Sequence, residues 1–416
     1  MSEQTVSRPS GASRAASSPA ARPARTVRRG TVVRWVLIAA LLAFLLVFPL
    51  YFDEFWLRTG FAVFGAAIGA IGLNLLVGTT GQLSLAHAFF LAVGAVSYTY
   101  ISGESGGLGT RAALQGLGLP PVVGMVVGVL LAGLAGLVFS PIAARLRGIY
   151  LGVASLGLVF IGVHVLNTWT PVTGGFNGRA APEFSLFGFT FGNSDPQLWV
   201  LGVPFREAER LWYLGLVLAL AAYVFARNLL RSRPGRALQT LRDSEVAASV
   251  MGVNVQAYKA RVFLVSSMYA GLSGVLYALS IGSIAPESFT LVVSIQYLAM
   301  VVLGGLGSVG GAALGALFVT ALPLLFQQYA DVLPLVSAPG QGGISAGFAA
   351  RFLYGAAIVL IVLFEPAGLA GIAQRVTQRL RRGRAPARGG GATPPPEQPG
   401  SAPTPSVRPS QGSDTR

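Results

Sequence analysis

The sequence predicts an all-α membrane protein, a polytopic bundle of about ten transmembrane helices. Hydrophobic residues make up 53% of the 416 residues and charged residues only 11%, with a mean hydropathy of +0.64. This balance lies far outside that of soluble domains. The apolar residues also gather in runs, most of them long enough to cross a bilayer as helices. The 54 glycines suit such a bundle, because small residues let helix backbones approach closely in lipid.

Ten apolar stretches are the candidate spans. In chain order they are residues 35–52, 61–79, 83–101, 121–143, 149–167, 211–227, 262–282, 291–303, 311–329 and 348–364. The eighth stretch is short for a full crossing, so we expect a broken or re-entrant element there.

The placement of charge predicts the topology. If the N-terminus is cytoplasmic, Arg145, Arg147, the loop 230–261 and the C-terminal arginines all fall inside. The acidic residues near the ends of the stretches then fall outside, in agreement with the positive-inside rule. We therefore expect an even number of crossings with both termini in the cytoplasm. No A-x-A-type cleavage site follows Arg28 and Arg29, which predicts an uncleaved anchor.

Composition divides the chain into three parts. Residues 1–34 and 376–416 are rich in Arg, Ser, Pro and Gly, and we expect them to be disordered, basic cytoplasmic tails. Residues 35–375 are the predicted transmembrane domain, with a cytoplasmic loop at 230–261 and a periplasmic loop at 168–210 that folds over the mouth. Neither tail alternates basic with aromatic residues, so the expected partner surface is the lipid bilayer and not nucleic acid.

Several classes of function are excluded or disfavoured by missing residue types. The ten stretches contain no Asp, Glu or Lys, which argues against a proton-coupled or ion-coupled carrier. The chain has no Cys, and its two histidines, His87 and His164, have no carboxylate close in sequence, so no metal site is expected. No G-x-x-x-x-G-K-S/T motif is present, and Lys259 is the only lysine. We expect no catalytic residue and no cofactor in this chain, with ATP bound by partner subunits.

A polar break interrupts the apolar residues between the second and third stretches. Gly78 and Gly81 supply backbone freedom there, and polar side chains follow directly. We hypothesise that a translocation path is lined by Asn74, Gln82, Ser84 and His87. The alternative is that these four side chains hydrogen-bond neighbouring helices and hold the bundle together.

The loop 230–261 contains a second local signal. Pro234 and Gly235 interrupt the preceding helix, Asp243 to Glu245 begin a run of good helix formers, and Gly252 ends it. The pattern predicts a short amphipathic helix with a charged start and small residues for close approach to a partner.

Five motifs in order give the chain a family resemblance. They are G-L-N-L-L-V-G-T-T-G-Q-L-S-L-A-H-A-F-F-L-A-V-G-A from Gly72, R-L-R-G-I-Y-L-G-V-A-S-L-G from Arg145, T-G-G-F-N-G from Thr173, G-R-A-L-Q-T-L-R-D-S-E-V-A-A-S-V-M-G-V-N-V from Gly235, and V-L-G-G-L-G-S-V-G-G from Val302. Together they resemble the permeases of branched-chain amino acid ABC importers, of the LivM type, over about residues 35–375.

The resemblance implies a type II-like ABC importer permease in the bacterial inner membrane. Such a permease pairs with a second, LivH-like permease, is powered by two cytoplasmic ATP-binding subunits, and receives its substrate from a periplasmic binding protein. One segment resembles the family's ATPase-coupling loop, the EAA loop, through Arg242, Asp243, Glu245, Ala247, Ala248 and Gly252. The isoleucine-x-leucine-proline tail of the fuller motif is absent after Gly252.

Three alternatives to this reading stay open. Urea or short-amide permeases share the G-Q-L-S-L and R-D-S-E motifs, and ribose-type permeases resemble the chain more distantly. An ATP-independent secondary transporter or channel is the alternative from another class, and it is disfavoured by the absence of Asp, Glu and Lys from the ten stretches.

Overall fold

A computed structural model of the chain describes residues 29–105, 114–146, 148–192, 198–200, 203–329, 336–337, 344–364, 368–372 and 375. Met1–Ile372 form one compact unit, and in the second unit, Ala373–Arg416, only residue 375 is described. The predicted tails therefore lie outside the described residues, apart from residues 29–34, which belong to the first helix.

The described residues fold mainly into helices, as the apolar stretches predict. In chain order these are α1 (Arg29–Val47), α2 (Glu54–Thr80), α3 (His87–Ser102), α4 (Pro121–Arg145), α5 (Ile149–Thr168), α6 (Thr170–Thr173), α7 (Glu207–Arg231), α8 (Arg233–Asp243), α9 (Glu245–Val250), α10 (Val255–Ile281), α11 (Leu291–Gly304), α12 (Val309–Gln328) and α13 (Ala346–Phe364).

Seven segments within the described residues are long and apolar enough to cross a membrane. They are Glu54–Thr80, Pro121–Arg145, Ile149–Thr168, Glu207–Arg231, Val255–Ile281, Pro286–Gly304 and Val309–Gln328. Three shorter apolar helices, Val36–Leu50, His87–Ser102 and Arg351–Leu360, correspond to the remaining predicted stretches. The prediction of an all-α polytopic bundle is confirmed.

The eighth stretch forms one continuous helix, α11, without the expected break, and re-entry stays a prediction. A short 3-10 helix at Pro286–Phe289 precedes α11, and α11 itself has only 14 residues. Several helices start earlier than the apolar pattern predicts, because their first turns include polar residues: α2 starts at Glu54, α7 at Glu207, and α10 at Val255 with Gln256 next. The early start of α10 places Lys259, the only lysine of the chain, inside a membrane-length helix.

The strands are all short and lie outside the apolar helices. They are β1 (Arg179–Ala180), β2 (Ser185–Leu186), β3 (Phe189–Thr190), β4 (Leu198–Val200), β5 (Val203–Phe205), β6 (Ser283–Ile284), β7 (Val336–Ser337) and β8 (Ile344–Ser345). The pairs β1–β6, β2–β3 and β4–β5 are antiparallel, and β7–β8 is parallel.

Helix α10 packs against α2, α3 and α4 through small residues. Ser273 Oγ donates to the carbonyl oxygen of Gly65 on α2 over 2.7 Å. Toward α3 and α4 the contacts are made by Gly274 and Gly271. A Cβ added at Gly274 would clash with the backbone of α3, and one added at Gly271 would clash with a side chain of α4. Glycines and serines thus let the backbones approach, as expected for helices that associate in lipid.

The described part of the loop 168–210 is an ordered cap. The pairing of β1 with β6 ties it to the end of α10. Arg179 is buried, and its guanidinium Nη1 donates to the carbonyl oxygens of Gln115 and Val172 over 2.6 and 3.0 Å. Burial lowers the pKa of this guanidinium, and the neighbouring Tyr100 partly offsets that effect. The hydroxyl of Tyr98 donates to the carbonyl oxygen of Pro182 over 2.9 Å.

Candidate functional site

The polar break between α2 and α3 is a non-helical stretch of backbone. Gly81, at φ +68°, ends α2, and α3 begins only at His87. Backbone that leaves a helix inside a membrane must find new hydrogen-bond partners. Serine hydroxyls from two other helices supply them: Ser155 Oγ accepts from Leu85 N over 2.8 Å, and Ser294 Oγ accepts from Ala88 N over 3.0 Å.

Two side chains at the break have buried polar atoms without a partner among the described residues. Gln82 is 8% exposed, and neither its Oε1 nor its Nε2 is hydrogen-bonded. His87 is 1% exposed, its imidazole is hydrogen-bonded to the backbone of Gly69, and its Nε2 has no partner. Buried polar groups are normally paired, so unpaired ones at a helix break point to a site that receives a polar ligand or water.

Ser84 and Asn74, the other two residues of the predicted path, have partners. Ser84 is buried, and its Oγ accepts from Ala86 N over 3.4 Å. Asn74 Oδ1 accepts from Gly307 N over 2.8 Å, which ties α2 to the turn between α11 and α12. The contact of Asn74 matches the alternative of a hydrogen bond between helices, and its role in the path stays a prediction.

Aromatic and hydroxyl side chains that the sequence analysis did not single out surround His87. The ring of Tyr297 lies 4.7 Å from the imidazole, centroid to centroid. The Tyr297 hydroxyl and Ser273 Oγ are 2.8 Å apart, and both are buried. Ser294 and Tyr297 are three residues apart on α11, so both lie on one face of that helix. This spacing was the feature of the sequence that could have pointed to them.

The segment Arg242–Gly252 contains two helices where the sequence analysis predicts one. Arg242 and Asp243 end α8, and Glu245, Ala247 and Ala248 lie on α9. Ser244 separates them, because its backbone is extended and its Oγ accepts from Ala247 N over 3.2 Å as the N-cap of α9. Helix α9 ends at Val250 and Gly252 has φ +80°, as predicted.

Contacts of three kinds attach this segment, together with the rest of α8, to the bundle. On α8, Leu238 and Leu241 are buried. Arg242 Nη1 donates to the carbonyl oxygen of Gly78 at the end of α2 over 2.7 Å. Glu245 Oε1 on α9 accepts from Lys259 Nζ on α10 over 2.7 Å. In the sequence, the signal for this contact was a lone lysine beside an apolar stretch.

The opposite side of α9 and the turn after it are exposed and apolar. Val246 is 70% exposed, Val250 83% and Met251 74%, whereas Ala248 is fully buried against the rest of the chain. Ala247 is exposed beside them. This patch, Val246, Val250 and Met251, is called the α9 patch below. A small exposed apolar patch of this kind is typical of a contact surface for another protein.

Within the described ranges, no group of three or more His, Cys, Asp or Glu side chains could bind a metal ion.

A bundle of apolar helices with a polar break inside it, joined to a polar segment by a hydrogen bond and an ion pair, has the architecture of a membrane permease. Residues 57–362 match the model of the family described as branched-chain amino acid transport system / permease component. The chain belongs to this family. Its members are permease components, which confirms the expectation of a transport permease.

Individual relatives agree with this membership. The chain is 31% identical over 309 residues to the high-affinity branched-chain amino acid transport system permease protein LivM of Escherichia coli, a match covering 72% of this chain and 66% of the relative. It is 24% identical over 326 residues to the probable branched-chain amino acid transport permease protein LivM of Methanocaldococcus jannaschii, covering 73% and 89%. It is also 30% identical over 247 residues to the ribose import permease protein RbsC of Escherichia coli, covering 59% and 67%.

The match spans just under two thirds of the Escherichia coli LivM relative. No solved structure matches the chain.

Proposed function

We propose that this chain is a permease subunit of an ATP-driven importer that moves branched-chain amino acids into the cytoplasm by alternating access. Family membership and the names of the LivM relatives supply the class of substrate. The observation that carries the mechanism is the attachment of the Arg242–Gly252 segment to α2 and α10 through Arg242 and Lys259.

The coupling partner is an ATP-binding subunit that receives the α9 patch. The exposed side chains of Val246, Val250 and Met251 suit an apolar groove, while Arg242 and Glu245 hold the segment to the membrane helices. In this proposal two such subunits power this chain and a second, LivH-like permease. Both termini lie in the cytoplasm and the helices cross the inner membrane.

The described part of the loop 168–210 is the docking surface for a periplasmic substrate-binding protein. Phe187 lies between β2 and β3, at the tip of their hairpin, and its side chain is fully exposed to solvent at 101%. Its φ of +48° is in the left-handed region that side chains rarely adopt. A strained, exposed aromatic residue at a hairpin tip suits an anchor for a partner protein.

The translocation path passes the break between α2 and α3. Gln82 and His87 support it most directly, because their unpaired polar atoms can pair with the ammonium and carboxylate groups of an amino acid. Ser84 and Asn74 complete the proposed lining. No charged residue faces the substrate in this proposal, so the path binds a zwitterion weakly and releases it.

Purification of the chain from its native membrane in mild detergent tests the proposal, with mass spectrometry of the proteins that co-purify. Recovery of a second permease and two P-loop ATPases is expected. The complex is then reconstituted in liposomes with the co-purified system's binding protein, and uptake of leucine, isoleucine and valine is measured with and without ATP.

The same assay separates the alternatives. Urea or ribose uptake in place of amino acid uptake would replace the substrate class and keep the mechanism; the ribose arm is included because of the similarity to RbsC. Uptake that persists without ATP, with the membrane potential held constant, would overturn the proposal in favour of a secondary carrier or channel.

A further inference from the structure

Lys259 is a buried cation that the family match does not explain. Its side chain is 1% exposed, and its Nζ lies 2.7 Å from Glu245 Oε1, whose side chain is 28% exposed. The two residues belong to different elements, because Lys259 is in the second turn of α10 and Glu245 begins α9. A buried ammonium needs a paired anion, and loss of one partner leaves an uncompensated charge. The pair therefore fixes the start of α9 to the start of α10.

Apolar contacts make the start of α10 a firm anchor. Val262 and Phe263, one turn after Lys259, are buried in a cluster with Leu76 of α2, Phe139 of α4 and Leu238 of α8. Tyr258, the residue directly before Lys259, packs against the same cluster. Close-packed side chains transmit displacement because they leave little space to deform into.

Farther along its length, α10 packs against α3, the helix that begins at His87. A Cβ added at Gly274 of α10 would clash with the backbone of Leu91 on α3, and a Cβ added at Gly94 of α3 would clash with the backbone of Gly271 on α10. A second route reaches the same place. Ser273 of α10 pairs with the Tyr297 hydroxyl over 2.8 Å, and the Tyr297 ring lies against His87. Displacement of α10 thus reaches the polar break from two sides.

We infer that the Lys259–Glu245 pair is a positioning contact that carries movement of α9 into α10, and through α10 to the break at Gln82 and His87. Lys259 touches neither substrate nor ATP in this arrangement. The inference rests on the proposed function, because that proposal uses the contact between Lys259 and Glu245 only as an attachment of the segment, and the inference assigns it the transmission of movement during ATP-driven transport.

A double-mutant cycle tests the pair in the reconstituted complex. The variants are Lys259→Met, which keeps the length of the side chain, Glu245→Gln, and the two together. The measured quantity is substrate taken up per ATP hydrolysed. We expect each single variant to hydrolyse ATP and to lower this ratio roughly two- to thirtyfold. The double variant should be no worse than the worse single variant, because both changes break one contact.

Arg261→Met is the matched control. Arg261 lies two residues from Lys259 on the same helix, is exposed, and stacks over Tyr258 at 5.5 Å. The Arg261→Met substitution removes one positive charge and leaves Lys259 and Glu245 in place. Its uptake per ATP hydrolysed should therefore equal that of the wild type. Single variants with the wild-type ratio, or additive losses in the double variant, would overturn the inference. If Lys259→Met does not assemble, Glu245→Gln decides alone: a reduced ratio supports the pair and an unchanged ratio overturns it.

A distance measurement separates this inference from the proposed function. The natural chain has no cysteine, so spin labels at Val250→Cys and Ile281→Cys are unique, and both positions are exposed. In the purified chain we expect one narrow distance distribution between the two labels, which Lys259→Met broadens. An unchanged distribution would contradict the inference whatever the substrate is. Failure of the wild-type complex to use ATP would instead contradict the proposed function.

Discussion

Arg242 donates a hydrogen bond from Nη1 to the carbonyl oxygen of Gly78 over 2.7 Å, although 164 residues separate them in the chain. Gly78 lies in the last turn of α2, where carbonyl groups have no partner within the helix. A guanidinium at this end also interacts favourably with the partial negative charge of the helix C-terminus. One side chain thereby caps a membrane helix and joins it to the segment that we assign to ATPase coupling.

Arg242→Met should lower both stability and coupling. Loss of a hydrogen bond from a charged donor, with Gly78 O left unpaired, destabilises the fold by about 1.5–3 kcal/mol. We expect a lower midpoint of thermal unfolding in detergent and less uptake per ATP hydrolysed. Arg236→Met is the control on the same helix, since Arg236 is exposed and its guanidinium donates a long hydrogen bond, of 3.4 Å, to Arg231 O. If the two variants have the same unfolding midpoint and the same uptake per ATP hydrolysed, the role of Arg242 is contradicted.

Gly78→Ala should destabilise the junction from the other side. A Cβ at Gly78 would lie 2.5 Å from Gly307 N and 2.6 Å from Asn74 Oδ1, too close to both atoms of an existing hydrogen bond. Overpacking of this kind destabilises by about 1–3 kcal/mol. The unfolding midpoint of the purified variant should therefore fall.

Gly157→Ala provides the comparison for Gly78→Ala. A Cβ at Gly157 on α5 meets no atom within 4 Å, so this variant should unfold at or slightly above the wild-type temperature. If both alanine variants unfold at the wild-type temperature, the contact between Gly78 and the α11–α12 turn is not tight.

Local patterns in the sequence predict much of this arrangement. The apolar stretches give the membrane helices, Gly81 marks the break after α2, and Gly252 follows the end of α9. These features depend on the length of apolar runs and on glycine's freedom at positive φ, which can be seen in a few consecutive residues.

Contacts between distant residues could not be predicted in the same way. Asn74 and Gly307 are 233 positions apart, and no local pattern pairs a buried amide with one particular turn. Lys259 looks like a solvated residue of a polar loop until α10 is seen to begin at Val255 and bury it. The division of the coupling segment at Ser244 also depends on tertiary contacts, since α8 is buried through Leu238 and α9 is tied to α10.

Gln82→Leu should raise stability and reduce transport. The two polar atoms of Gln82 are buried and unpaired among the described residues, and such groups destabilise a fold by about 1–3 kcal/mol. A leucine of similar size removes that penalty, and with it the polar atoms that we assign to the path. We expect a higher unfolding midpoint together with lower uptake at unchanged complex recovery.

Ser155→Ala is the control for Gln82→Leu. Ser155 Oγ is the partner of Leu85 N at the same break, so its loss should lower the unfolding midpoint. Gln82→Leu with full uptake would show that Gln82 does not line the path, even if the variant were more stable.

Phe187→Gly should separate the fold of the cap from its proposed docking. The side chain of Phe187 is fully exposed, so its removal takes no buried area from the fold. Glycine also adopts φ +48° freely, whereas phenylalanine in this region is strained by about 1–3 kcal/mol. The variant should therefore unfold at or above the wild-type temperature while uptake that depends on the binding protein falls.

Phe187→Tyr keeps the ring and should retain uptake, and basal ATP hydrolysis should be unchanged in both variants. Full uptake by Phe187→Gly in whole cells would remove Phe187 from the docking surface, because the ring would then be strained and exposed without contributing to binding.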